Sequence, residues 1–260
     1  MSALADRFEV AVRLAAEAGE LAQCMRPPAG TSAATLKGPQ DWLTEADGAV
    51  ERLLSERLAQ LYPDDGFQGE ESGRTRSGSL CWVVDPIDGT SNYMRGGRRF
   101  CVSLGCLEGN TQMIGVIVAP ALGETFAACI GTGATLNGVT IHAAETNDLT
   151  HAIVELGWSR RRPLSEFMAL TDRIITAGAM PRLNGSGALG LADVAAGRID
   201  AYAELHINLW DVAAALVILA EAGATVSPFL SGDGLLAGNP ILACAPAIAA
   251  ALSTVTSIRL

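Results

Sequence analysis

The chain has 260 residues, 49% of them hydrophobic and 18% charged, which excludes a disordered chain and a coiled coil. Its 28 Asp and Glu outnumber its 18 Lys and Arg, giving a formal net charge of −10. Extensive electrostatic binding of DNA or RNA is therefore not expected, because the negative net charge repels nucleic-acid phosphates. We expect neither a secretory signal nor a membrane span. The six cysteines lack C-x-x-C spacing, which is typical of reduced thiols in a cytoplasmic protein.

The first elements of the chain are predicted to be two helices. Leu4, Phe8 and Val12 recur at helical spacing, which predicts a helix over residues 4–24. A loop rich in Gly, Thr and Ser is expected over residues 29–40. A second helix is predicted over residues 45–61, closed by the turn sequence that follows it.

From Leu80 onward the hydrophobic pattern becomes that of strands. A short buried strand is predicted over residues 81–84, stopping abruptly at Asp85-Pro86. Further strands separated by turns are predicted over residues 100–107, 113–118 and 124–129. This succession indicates an antiparallel sheet.

Beyond Asn137-Gly138 strands and helices alternate in blocks. Strands are predicted over residues 153–156, 199–204 and 241–244, and helices over residues 164–177, 189–196, 209–222 and 245–252. Such alternation predicts a layered α+β architecture in which helices cover the faces of sheets. No linker is visible, so we expect one domain over residues 1–260, with an N-terminal half of about 1–145 and a C-terminal half of about 146–260.

The run that carries most chemistry begins where the predicted strand ends. Asp85 ends the strand and Asp88 follows three residues later, while Gly89 permits a positive φ. Thr90 can then begin a helix whose free N–H groups bind an anion. Two carboxylates beside such amides can hold a hard cation and a phosphate side by side. A simple helix-capping turn explains the same residues.

Three further acidic segments accompany this run. Glu70-Glu71 lies in a predicted loop, Asp47 lies near the start of the second helix, and Asp211 heads a strongly apolar helix. Each has an ordinary explanation, since loop acids are solvated and the helix dipole favours acids in a first turn. None of the segments is decisive by itself.

Together the segments resemble the inositol monophosphatase family, whose members are magnesium-dependent, lithium-sensitive phosphomonoesterases. The signatures are Glu70-Glu71, Asp85-Pro86-Ile87-Asp88-Gly89-Thr90 and Trp210-Asp211-Val212-Ala213-Ala214. The resemblance extends over essentially the whole chain, through Lys37, Asp41, Thr44-Glu45-Ala46-Asp47, Gly133-Ala134-Thr135-Leu136-Asn137-Gly138 and Gly238-Asn239-Pro240. It implies a layered α/β/α/β/α sandwich of the inositol monophosphatase and fructose-1,6-bisphosphatase type, with the metals between the two halves.

The resemblance also implies the metal ligands and the catalytic residues. Glu70, Asp85 and the carbonyl of Ile87 would bind a first Mg²⁺, and Asp85, Asp88 and Asp211 a second. Glu70 could assist a third ion, and Mn²⁺ is a possible substitute. Asp47, Glu70 and Thr90 form the catalytic set, in which Asp47 with Thr90 orients and helps deprotonate the attacking water.

The remaining implied contacts are with the substrate. The substrate-binding residues would be Asp88, Gly89, Thr90, Gly185, Ser186, Gly187, Glu204 and Asp211, with Glu204 contacting substrate hydroxyls. Electrostatics is consistent with bound cations, because two carboxylates ~4 Å apart repel by about 4 kcal/mol at an effective dielectric constant of ~20. Oxygen ligands without a nearby His or Cys favour Mg²⁺ over zinc.

The implied reaction is the hydrolysis of a small sugar or polyol phosphomonoester, foremost myo-inositol monophosphate, by a metal-activated water. Alternatives within the family are histidinol phosphate, fructose 1,6-bisphosphate and 3′-phosphoadenosine 5′-phosphate. Gly187 replaces the Ala usual at its position, which would loosen the sugar side of the site. The resemblance further implies a homodimer, and we expect neither a nucleic acid nor a membrane as a partner.

Two other classes of protein stay open. Residues 185–190 satisfy the G-x-G-x-x-G pattern of a nucleotide-binding oxidoreductase, with Glu204 about where a ribose-binding acid is expected. The preceding residues 179–184 do not predict a buried apolar strand, which counts against that class. A catalytically silent homologue that serves as an interaction protein is the second alternative.

Overall fold

The structure is a computed structural model that describes residues 3–27, 34–38 and 41–260. The helices are α1 (Ala3–Cys24), α2 (Glu45–Leu61), α3 (Thr90–Met94), α4 (Leu164–Thr176), α5 (Gly187–Ala195), α6 (Leu209–Glu221), α7 (Gly234–Ala237) and α8 (Ala249–Thr256). Short 3-10 helices cover Leu149–His151 and Pro246–Ile248. In the described part of the chain no helix is both long enough and apolar enough to cross a membrane.

Strands occupy both halves of the chain. In the N-terminal half they are β1 (Ala34–Gly38), β2 (Asp41–Thr44), β3 (Gly66–Gly69), β4 (Gly73–Arg76), β5 (Leu80–Asp88), β6 (Cys101–Glu108), β7 (Thr111–Ala119), β8 (Glu124–Cys129), β9 (Ala134–Leu136) and β10 (Val139–Thr140). In the C-terminal half they are β11 (Ile153–Leu156), β12 (Met180–Arg182), β13 (Ala201–Ile207), β14 (Thr225–Val226) and β15 (Asn239–Cys244).

The strands form a hairpin, β1-β2, and two larger sheets. The eight-stranded sheet has the order β10-β9-β8-β7-β6-β5-β3-β4, and the five-stranded sheet the order β12-β11-β13-β15-β14. From β5 to β10 every pairing is antiparallel, as predicted, whereas β3 is parallel to β5. In the second sheet β11 is parallel to both β12 and β13.

Helices and sheets alternate in five layers. Helices α1 and α2 pack on one face of the eight-stranded sheet, and α5 and α6 lie between the two sheets. Helices α4 and α8 cover the far face of the five-stranded sheet. This is the α/β/α/β/α sandwich expected from the sequence.

Strand β5 shows how residue alternation produces these layers. Trp82 and Val84 are buried with α1 and α2, whereas Cys81 and Val83 face the core shared with α5 and α6. Successive side chains of a strand point to opposite faces, so a continuous apolar run fills two cores at once.

Some predicted boundaries were wrong. Strand β5 does not stop at Asp85-Pro86 but continues to Asp88, and its register against β6 shifts between Asp85 and Asp88. A bulge lets a strand continue past a proline, which has no N–H to donate to the ladder. Strand β13 lies at Ala201–Ile207, not at residues 199–204, because β15 pairs with it from Ala201 onward.

The predicted loop over residues 29–40 lies partly outside the described residues, and its described portion contains β1. The side chains of Lys37 and Asp41, which belong to the family resemblance, also lie outside the described part of the structure.

Candidate active site

Three acids from two elements meet at one point. One carboxylate oxygen from each of Asp85, Asp88 and Asp211 lies within 4.8 Å of the other two. Asp85 and Asp88 are 1% and 9% exposed. Buried carboxylates at this separation repel strongly, and a cation among them offsets the repulsion.

The local chain explains how these acids reach the same place. The bulge in β5 lets Asp85 and Asp88 serve one cluster, and the Ile87 N–H donates to Asp85 Oδ1 over 3.0 Å. Asp211 is the third residue of α6, where its side chain accepts from the Asn208 N–H over 3.0 Å in a capping box. Asp211 is therefore both a helix-capping acid and a member of the cluster.

Asp88 is held by the start of α5. It accepts hydrogen bonds from Ser186 Oγ over 2.5 Å, from the Ala188 N–H over 2.8 Å and from the Gly187 N–H over 3.3 Å. These are the amides that a pyrophosphate would need at a dinucleotide-binding helix. Strand β12, which precedes this turn, is an edge strand with Met180 and Arg182 exposed. The residues of the G-x-G-x-x-G pattern thus donate hydrogen bonds to the carboxylate of Asp88 within the protein.

The pKa values of the three acids are raised, first of all by burial. Burial, then the charges of Glu70 and Asp88, hold the pKa of Asp85 well above its usual value. Burial and the Asp88 charge raise the pKa of Asp211 to about 8. Burial also raises the pKa of Asp88, although its bonds from Ser186 and Ala188 act in the opposite direction. The cluster therefore binds protons when no cation is present.

Glu70 lies beside this cluster, in the turn between β3 and β4. Its N–H donates to the Val84 carbonyl over 3.0 Å, and its charge is the largest carboxylate influence on Asp85. The parallel pairing of β3 with β5 brings this turn to the end of β5. The predicted loop acid is thus positioned by the sheet.

Asp47 lies in the same capping position of α2 that Asp211 has in α6. Asp47 Oδ2 accepts from the Thr44 N–H over 2.8 Å and from Thr44 Oγ1 over 2.5 Å. Burial raises the pKa of Asp47 to about 6, against the bonds from Thr44. The predicted water-activating partner, Thr90, donates from Oγ1 to the Ile87 carbonyl over 2.9 Å.

The turn between β5 and α3 has the predicted backbone. Gly89 has φ = 85° and precedes the first residue of α3, Thr90. A Cβ at this position would lie 2.7 Å from the Arg99 carbonyl oxygen, so both the φ and the space require glycine. The amides of Gly89 and Thr90 lie two and three residues beyond Ile87.

A cleft of about 970 Å³ opens beside the acids. Its walls include Asp88 and Asp211, the turn Gly185-Ser186-Gly187, and Glu204 on β13. Burial raises the pKa of Glu204 to about 8. Six of the sequence-predicted residues therefore line one cavity: Asp88, Gly185, Ser186, Gly187, Glu204 and Asp211. The lining does not include Glu70, Asp85, Ile87, Gly89 or Thr90.

The space beside Gly187 is already filled. A Cβ there would lie 2.9 Å from Ile207 Cδ1 and 3.2 Å from Tyr202 Oη. The loosened sugar side expected for Gly187 is not observed, because these two side chains occupy the place a methyl group would take.

Sequence reasoning missed three supporting residues. Thr44 and Asn208 cap the helices that carry Asp47 and Asp211, and the spacing of a capping box could have revealed both. Tyr202 donates to Glu204 over 2.6 Å, and its place two residues earlier on the same strand face was the available signal.

The donor set fits a hard cation. Asp85, Asp88 and Asp211 offer carboxylate oxygens, and no histidine or cysteine belongs to this cluster among the described residues. Mg²⁺ prefers such ligands, whereas zinc in proteins prefers imidazole and thiolate.

Comparison with known proteins agrees with this arrangement. The sequence model of the inositol monophosphatase family matches residues 3–257. Nus factor SuhB of Xylella fastidiosa is 38% identical over 199 residues, which cover 76% of this chain and 72% of that protein. Nus factor SuhB of Escherichia coli K12 is 32% identical over 244 residues, 90% of this chain and 91% of that protein.

Two solved structures show the same fold. The Thermotoga maritima IMPase is 30% identical and superposes with a TM-score of 0.85, covering 97% of both chains. Mycobacterium tuberculosis SuhB is 34% identical with a TM-score of 0.82, covering 97% of this chain and 96% of that one.

Proposed function

Because the chain belongs to the inositol monophosphatase family, we propose that it hydrolyses a small sugar or polyol phosphomonoester with Mg²⁺ and water, foremost myo-inositol monophosphate. The observation that carries the proposal is the convergence of Asp85, Asp88 and Asp211 within 4.8 Å at the wall of a cleft. Mn²⁺ is a possible substitute, and two or three ions per site are proposed.

The residues divide the work. Asp85, Asp88 and Asp211 would hold the cations, with Glu70 and the Ile87 carbonyl completing the oxygen ligands. When bound, the cations supply a more acidic water and offset the charge on the transferring phosphoryl group. Asp47 is buried, and its pKa of about 6 is close to neutral pH. Together with Thr90 it orients that water and accepts its proton.

The substrate would lie along the cleft. The amides of Gly89 and Thr90 receive the phosphate, and Glu204 accepts a hydrogen bond from a hydroxyl of the polyol. Gly185, Ser186 and Gly187 form the adjoining wall, where Ser186 and Gly187 also hold Asp88. Histidinol phosphate, fructose 1,6-bisphosphate and 3′-phosphoadenosine 5′-phosphate are the competing substrates.

A phosphate-release panel over these four substrates tests the proposal. We expect release to require Mg²⁺, to stop on chelation with EDTA, and to be fastest with myo-inositol monophosphate. Asp88→Asn should abolish most turnover, whereas Asp148→Asn, an exposed capping acid outside the cleft, should not. No release from any substrate, or full activity of Asp88→Asn, would contradict the proposal.

The name shared by the curated relatives supports a second candidate, a role as a Nus factor. It corresponds to an interaction protein, for which catalysis is not required. The complete set of acids at the cleft favours the phosphatase. Replacing the chromosomal gene by the Asp211→Asn variant separates the phosphatase from the Nus factor role. A role that needs only binding is retained in that variant, whereas phosphatase activity is lost.

Assembly is a separate proposal. The family resemblance implies a homodimer, and sedimentation equilibrium at several protein concentrations tests it. A mass that stays at 26.9 kDa throughout contradicts the dimer.

A further inference from the structure

The first observation is a buried pair on β13. Tyr202 and Glu204 are two residues apart and share a strand face, and Tyr202 Oη donates to Glu204 Oε2 over 2.6 Å. Tyr202 and Glu204 are 2% and 7% exposed, and both line the cleft. Among the described residues none donates a hydrogen bond to the other carboxylate oxygen, Oε1.

Three glycines make room for this pair. A Cβ at Gly157 would overlap Glu204 Oε2 and Tyr202 Oη, and one at Gly190 would lie 2.6 Å from Tyr202 Cδ2. A Cβ at Gly187 would lie 3.2 Å from Tyr202 Oη. None of the three glycines has a positive φ. Close approach of the pair therefore favours glycine most strongly at Gly157 and Gly190, and backbone conformation does not require it at any of the three positions.

The bond fixes one half of the carboxylate. A free Glu side chain has several rotamers, and holding it in one of them costs roughly 1–2 kcal/mol of conformational entropy. The hydrogen bond from the Tyr202 hydroxyl to Oε2 offsets that entropy loss in the folded protein. Oε1 is left to accept a further hydrogen bond. Since Glu204 lines the cleft, the donor to Oε1 would be a group of the bound molecule.

We propose that Tyr202 is a positioning residue that sets substrate preference, by fixing Glu204 so that its second oxygen accepts a hydroxyl of the substrate. The proposal rests on the proposed function and goes further, because it assigns selection for hydroxyl-bearing phosphomonoesters to a buried tyrosine whose hydroxyl is bonded to Glu204. Tyr202 does not touch the phosphoryl group in this scheme and therefore affects binding of the polyol more than turnover.

The test compares two substrates in one enzyme. Inositol monophosphate carries ring hydroxyls, and para-nitrophenyl phosphate carries none. Tyr202→Phe keeps the ring beneath Gly187 and Gly190 and removes the donor alone. We expect the KM for inositol monophosphate to rise by up to about tenfold, as for one lost hydrogen bond, with kcat changed less than about threefold. Kinetics with para-nitrophenyl phosphate should stay unchanged.

Tyr62→Phe is the matched control. It removes the same hydroxyl from another tyrosine–carboxylate pair, in which Tyr62 Oη donates to Asp6 over 2.9 Å away from the cleft. Its KM values should equal those of the wild type. In a double variant, Tyr202→Phe should add nothing to the KM of Glu204→Gln. An amide at position 204 keeps one oxygen for the Tyr202 hydroxyl but turns its NH2 group to the substrate, so the acceptor that Tyr202 positions is already lost. Multiplying effects would show that Tyr202 does not act through Glu204.

The outcomes separate this inference from the proposed function. A wild type that releases phosphate from neither substrate overturns both. A wild type that is active, with an unchanged substrate ratio in Tyr202→Phe, overturns the role of Tyr202 alone. If thermal unfolding shows that Tyr202→Phe does not fold, Gly190→Ala takes its place, because the added methyl group would lie 2.6 Å from Tyr202 Cδ2 and displace the ring. An unchanged substrate ratio in that variant also overturns the role.

Discussion

At the scale of single residues, the cluster of Asp85, Asp88 and Asp211 is expected to lower the free energy of unfolding when no cation is bound. Asp211→Asn removes an ionisable carboxyl group and keeps the capping box, because an amide oxygen also accepts from the Asn208 N–H, although more weakly than a carboxylate does. We expect the metal-free variant to melt no lower than the wild type. The stabilisation by Mg²⁺ should disappear, and turnover should fall on the order of a hundredfold. Thermal unfolding with and without Mg²⁺, beside a phosphate-release assay, measures all three.

Asp148→Asn supplies the control for that variant, since Asp148 also caps a helix by accepting from the Thr150 N–H but lies on the surface. It should retain the full response to Mg²⁺. If Asp211→Asn keeps that response as well, the cation is bound elsewhere.

The same cluster predicts how stability depends on pH. Burial raises the pKa of Asp47 to about 6 and that of Asp211 to about 8, above the ~3.9 of an unfolded Asp. Between about pH 4 and pH 8 the folded protein therefore binds more protons than the unfolded chain, so the free energy of unfolding falls as pH rises. We expect the melting temperature of the EDTA-treated protein to fall steadily from pH 5 to pH 8.

Saturating Mg²⁺ should flatten that profile, because cations replace the protons in the cluster and stabilise its ionised form. The gain in melting temperature on adding Mg²⁺ should be largest at pH 8 and smallest at pH 5. A gain that is independent of pH would mean that these acids are not the ligands.

At the scale of elements, the position of Asp211 depends on how closely α6 approaches the eight-stranded sheet. A Cβ at Gly105 would lie 2.8 Å from the Ala213 Cβ, and one at Gly115 would overlap the Ala214 carbonyl oxygen. Gly115→Ala should push α6 outward, lowering the free energy of unfolding by about 1–3 kcal/mol and weakening Mg²⁺ binding. Denaturant unfolding and Mg²⁺ titration measure the two effects.

Gly48→Ala is the contrasting substitution. Gly48 lies within α2, and a Cβ there would meet only the flexible end of Arg52 at 3.2 Å. It should stabilise the protein by up to about 1 kcal/mol, because Ala favours helix over Gly. If both variants lose stability, the loss in Gly115→Ala cannot be assigned to the packing of α6 against the sheet.

Local signals predicted the elements that depend on local chemistry. The bounds of α2 were right because the acids at its start and the turn sequence after Leu61 are local signals in adjacent residues. Strand β5 was cut short at Pro86, since its continuation depends on pairing with β6. Strands β3 and β4 were not predicted because their strand form comes from alignment beside β5, which no local pattern shows.

The candidate site divides in the same way. The acids Asp85, Asp88 and Asp211 were predictable as a set from the family resemblance, and the structure brings them together. The hydrogen bonds by which Ser186 and Gly187 hold Asp88 could not be predicted, because the residues are about a hundred positions apart in the chain. Such contacts depend on the packing of α5 beside β5.

At the scale of the whole molecule, the two halves share one core and one ion-pair network. Arg99, in the segment before β6, pairs with Asp193 on α5 at 2.8 Å and with Glu155 on β11 at 3.6 Å. Ile117 of β7, Val212 of α6 and Ile241 of β15 belong to the same buried cluster. The proposed metal ligands are divided likewise, with Asp85 in one half and Asp211 in the other.

This sharing predicts a single unfolding transition for residues 1–260. Separating the halves would expose the shared core on both sides and break the cluster of acids, so neither half has a stable partly folded alternative. Calorimetry should show one peak whose calorimetric and van't Hoff enthalpies agree, and Mg²⁺ should move the whole peak upward. Two peaks, with only one of them moved by Mg²⁺, would mean that the halves unfold separately and that the ligands lie within one of them.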